Sequence, residues 1–245
     1  MVDLTLIGLD DMFMAVERAA NLARIASHLV ENEGAVGHAV DQVRVVAPMP
    51  GARCVHLGLP SPGGVSAGRA LAIAGDAPLT FSDPGPLLGP GDDVRARPGD
   101  RWAVAVAAVL GAGGRDVPEA HALRLVAGYA IAGRWLADAG SADATPAVQL
   151  GPWLVTPDDA GAEGTARPVR VVVDEATVAS ATWAVGAGFA AMVARVSRQF
   201  ELRPGDVLTA LVPADGGGGC AASVAAGQQV RLEVEGLGAL PARVV

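Results

Sequence analysis

The side chains able to do chemistry are few, and they do not gather into a motif. Four histidines, His28, His38, His56 and His121, are spaced too irregularly for a zinc pattern. His56 lies in a strand-like run between Val55 and Leu57, either facing a pocket as a general base or packed at a strand edge. The other three fall on helical or linker segments and read as surface residues. Cys54 and Cys220 match no redox or metal spacing and read as buried free thiols. Asp83 sits before a Pro/Gly-rich loop, as a solvated turn residue or as an acid/base group. The pair Arg134 and Trp135 stands out more. An arginine holds a carboxylate or enolate through paired hydrogen bonds, and a tryptophan stacks on a flat ligand. The competing structural reading makes Arg134 and Asp138 an i,i+4 ion pair on a helix.

Several chemistries are excluded by composition. The 245-residue chain has 18 basic residues, all of them arginine, so Schiff-base and lysine general-base catalysis have no residue to use. No nucleophile elbow, Walker loop or dinucleotide fingerprint is present, and Gly216 to Gly219 reads as a flexible loop rather than a phosphate cradle. A net charge of −8 without a basic arm argues against a nucleic-acid partner. Residues 177–194 are uncharged but consist mainly of Ala, Gly, Ser and Thr, which predicts a weakly hydrophobic buried element rather than a membrane span. With no signal-peptide pattern at the start, the expectation is a cytoplasmic protein with no membrane partner.

These residues need a scaffold, and its elements are partly readable. Asp10 to Glu33 predicts an amphipathic helix capped by Asp10 and Asp11, within a short helical unit over residues 1–50. A second unit, 51–245, then changes texture to short strands and Pro/Gly turns. Strands are predicted over Cys54 to Leu59, Val169 to Val173, Val207 to Val212 and Val230 to Val234. Trp102 to Leu110 alternates too little for a half-exposed strand and predicts one buried on both faces, ending at Gly111. Helices are predicted over Val117 to Ala127, with Asp116 as N-cap and Pro118 and Glu119 in its first turn, and over Ala187 to Gln199. Strands and helices without regular alternation predict an α+β fold.

Four stretches in register resemble the fumarylacetoacetate hydrolase superfamily: Gly111 to Tyr129 (GAGGRDVPEAHALRLVAGY), Leu150 to Val155 (LGPWLV), Leu202 to Leu208 (LRPGDVL) and Gln229 to Leu240 (QVRLEVEGLGAL). The resemblance implies a mixed β-roll or sandwich with a few peripheral helices. It also implies a divalent cation held by two Glu on one strand and an Asp after the Gly-Tyr pair, since hard cations take oxygen ligands. In this sequence those positions are assigned to Ala103, Ala105 and Gly133. The family's other polar positions carry Gly58, Leu59, Pro60 and Ser61, then Asp83 in place of a Lys, while Thr182 agrees with a family Thr.

Together these readings predict a degenerate member without a metal or other cofactor. Asp83, Arg134 and His56 are the candidate catalytic residues. Trp135, Ala103, Ala105, Gly133, Asp138 and Thr182 are the candidate substrate-contacting ones. The expected function is a metal-independent cyclase, isomerase or carbon–carbon lyase or decarboxylase for an apolar, oxygenated small molecule of specialised metabolism. Such a site would act mainly by holding its substrate in a reactive conformation. The alternative is a non-catalytic subunit that stabilises an active partner, or a metabolite-binding protein; the resemblance implies dimerisation, and a homodimer is expected for the enzyme.

Overall fold

The computed structural model describes residues 87–95, 99–136, 148–214 and 219–245, together with the backbone of two strands at 54–57 and 79–82. The predicted helix Asp10 to Glu33, the unit 1–50, Asp83 and Asp138 lie outside the described residues.

Two sheets carry the fold. The first contains β1 (Cys54–Leu57), β2 (Leu79–Ser82), β4 (Arg101–Leu110), β5 (Val126–Leu136), β6 (Val148–Val155), β9 (Val207–Leu211) and β10 (Ala221–Ser223). Its strand order is β2-β1-β9-β4-β5-β6, and β10 pairs with the first residues of β4 while β9 pairs with its second half. The second sheet contains β3 (Asp93–Val94), β7 (Ala166–Val173), β8 (Ala176–Ala184), β11 (Gln229–Val234) and β12 (Gly238–Val244), ordered β3-β12-β11-β7-β8. Among the described residues three α-helices decorate the sheets: α1 (Glu119–Ala122), α2 (Pro157–Ala160) and α3 (Phe189–Gln199).

β4 explains why the core has two parts. Its sequence RWAVAVAAVL is apolar on both faces, and every residue after Arg101 is buried. Successive side chains alternate between faces. Trp102, Val104, Val106 and Leu110 therefore enter the large core between the sheets, against Val171, Leu232 and Leu240. Ala103, Ala105, Ala107 and Val109 enter a second apolar layer on the other face, with Ala130, Ala132, Val148, Leu150, Val207 and Leu211.

The predicted buried strand is observed, as are strands within one or two residues of the predicted ones at β1, β9 and β11, the helix α3, and β7, which starts three residues earlier than predicted. The helix predicted over Val117 to Ala127 is shorter. After α1 comes a 3₁₀ turn at Leu123–Leu125, and Val126 already begins β5. Asp116 does not cap it: its backbone is left-handed (φ 51°), and Pro118 stands at the N-cap. The uncharged stretch 177–194 is a half-exposed strand, a turn and the start of α3, with Val178 51 % exposed. Among the described residues no helix is long and apolar enough to cross a membrane.

Candidate functional site

The site is built on the face of the first sheet that carries the alanines of β4. In the antiparallel β4–β5 pair, Ala103 stands opposite Arg134, Val104 opposite Gly133, and Ala105 opposite Ala132. Residues directly opposite share a face. Arg134 therefore projects to the same side as Ala103 and Ala105, in a cross-strand row that runs Ala221, Ala103, Arg134, Val148. The next row runs Leu211, Ala105, Ala132, Leu150. Among the described residues of these two rows, Arg134 is the one cationic side chain, set beside alanine and branched aliphatic groups.

Arg134 is only 7 % exposed, although it contacts other parts of the protein. Burial among apolar neighbours disfavours its charged form and lowers its pKa to about 10. At neutral pH it is still a cation. The floor beneath it is fully buried, with Ala103, Ala105, Ala130 and Ala132 each at 0 % exposure.

Gly133 belongs elsewhere. It faces the core between the sheets, and a Cβ there would stand 2.5 Å from Nε1 of Trp102. Its glycine is required by the indole packed on it, and it does not join Ala103 and Ala105 around a shared point. The position on β5 that does face Ala103 is Arg134, one residue later. Trp135 follows the same alternation. It points into the inter-sheet core, stacked on Trp102 with ring centroids 6.0 Å apart and planes 16° from parallel. It cannot stack on a ligand held by Arg134 across the thickness of the sheet. The i,i+4 helical pairing of Arg134 with Asp138 does not apply either, because residues 126–136 form a strand.

Two further expectations are separated from this row. Thr182 is exposed on β8, between the inward-facing Ala181 and Trp183, and so on the outer side of the second sheet. His56 pairs with Thr80 and Thr209, and Thr209 with Ala107. It is therefore three strands and four residues away from Arg134, on the order of 20 Å along the sheet. The structure brings together Ala103, Ala105 and Arg134, with Ala132 as a floor residue that the sequence did not single out.

The same row decides the fit to a divalent cation. Methyl groups offer no lone pair, and a guanidinium repels a second cation, so Ala103, Ala105 and Arg134 do not fit a magnesium or manganese ion. Among the described residues no group of three or more His, Cys, Asp or Glu could hold a metal. The second sheet has a shallow groove of about 390 Å³ lined by Arg170, Glu233 and Glu235. Arg170 and Glu233 stand 3.9 Å apart there, partly exposed, an arrangement that contributes little in water.

The fold and this residue pattern can be set beside known proteins. Residues 68–245 match the family model described as the fumarylacetoacetate (FAA) hydrolase C-terminal domain. The chain belongs to the fumarylacetoacetate hydrolase family. A protein of Burkholderia lata that carries a provisional hydrolase name is 33 % identical over 172 residues, covering 62 % of this chain and 60 % of its own. The chain thus spans about three fifths of the length of the curated relatives it matches. Among solved structures, the maleylpyruvate hydrolase of Sphingobium sp. SYK-6, in complex with manganese(II) and pyruvate, superimposes with a TM-score of 0.73. It is 20 % identical over 96 % of this chain and 85 % of that one. The 2-hydroxyhepta-2,4-diene-1,7-dioate isomerase of Mycobacterium marinum gives a TM-score of 0.66 at 23 % identity, covering 84 % and 79 %. At these identities the likeness is one of fold, and it agrees with the mixed β architecture expected from the sequence.

Proposed function

We propose that this family member acts on a small oxygenated carboxylate at the alanine-floored face of β4 and β5, without a divalent cation. The reaction class is isomerisation, cyclisation or carbon–carbon bond cleavage. The observation that carries the reading is the shared row of Ala103 and Arg134, with Ala105 beside it. It places small apolar side chains and a cation where the family resemblance puts metal-holding carboxylates.

The substrate class follows from the relatives' own names, which denote an enolisable dicarboxylate and an oxo acid, and from the cation that the described row carries, Arg134. A buried guanidinium selects a planar oxyanion, and apolar walls select a carbon skeleton over a sugar or phosphate. Orientation of a flexible substrate against a rigid sheet lowers a barrier without further charged groups. Asp83 completes the proposal as the acid/base candidate contributed from the chain after β2, whereas His56 stands too far from the row to take part. A homodimer in the cytoplasm is the setting we propose for it.

The alternative is a subunit or binding protein without turnover, favoured by the same absence of carboxylates on the row. Incubation of the intact chain with a panel of enolisable 2-oxo acids and 1,3-dicarbonyl acids, in the presence of a chelator, separates the two. Consumption of an enol chromophore under chelation supports the enzyme. No turnover across the panel, with or without added manganese, supports the binding protein.

A further inference from the structure

We draw no further inference here: the strongest candidate, the exposed outer edge of β8 around Ser180 and Thr182 at the end of the second sheet, is an unpartnered strand edge, and nothing in the structure shows what covers it.

Discussion

Adding one methyl group at Gly133 tests the register of the β4–β5 pair, on which the site depends. The new Cβ would stand 2.5, 2.8 and 3.0 Å from Nε1, Cε2 and Cζ2 of Trp102. Carbon contacts prefer about 3.5–4.0 Å, so the indole must retreat by roughly 1 Å. It has little room to do so, because Trp102 is fully buried and stacked on Trp135. Overpacking of this kind destabilises by about 1–3 kcal/mol. Replacing a strand glycine returns roughly 0.5–1 kcal/mol through reduced chain entropy. The net loss expected for Gly133→Ala is therefore about 1–2 kcal/mol. With a urea m-value of about 2–3 kcal/mol/M, the unfolding midpoint falls by roughly half a molar. Gly133→Asp should be worse, since it drives a carboxylate into the indole stack. If Gly133→Asp is tolerated as well as wild type, Gly133 faces the alanine floor, and the placement of Arg134 opposite Ala103 is wrong.

Two further outcomes follow from the same geometry. Ala103→Glu places a carboxylate opposite Arg134, whereas Ala105→Glu places one opposite Ala132. Denaturant titrations should find Ala105→Glu less stable than Ala103→Glu by about 2 kcal/mol or more, because only the latter is paired; equal losses would contradict the register. Tyr129 is the chain's single tyrosine, so the native phenolate absorbance titrates one group. Burial, and then the nearby Glu163 charge, raise its pKa above 10, favouring the neutral form in the fold. Its contribution to stability is present below pH 10 and is lost as the pH rises through the folded value. A native midpoint at or below that of the urea-unfolded chain would contradict its burial beside Trp183 and Phe189.

How much of this was legible in the sequence varies with the element. β4 was readable because RWAVAVAAVL is apolar on both faces and bounded by turn residues. The family was readable because turn and packing motifs such as Leu-Gly-Pro and Arg-Pro-Gly-Asp keep their order. β5 was not, since VAGYAIAGRWL mixes two glycines with alanines and shows neither helical nor strand periodicity. Without β5 as a strand, Arg134 and Trp135 looked like neighbours in one pocket, whereas alternation sends them to opposite faces. The assignment of Gly133 beside Ala103 and Ala105 failed for the same reason. A displacement of one residue changes the face of the sheet, and the register across residues 111–125 is set by tertiary pairing. Thr182 was read from a matching residue type alone, and a type carries no information about facing.

The most direct measurement of the central claim is manganese binding to the intact chain, followed by the electron paramagnetic resonance signal of the free ion. With Ala103, Ala105 and Arg134 sharing one buried row, equimolar protein should leave that signal undiminished at micromolar concentrations. Stoichiometric loss of the signal, restored by a chelator, would show a cation held by this chain and contradict the account.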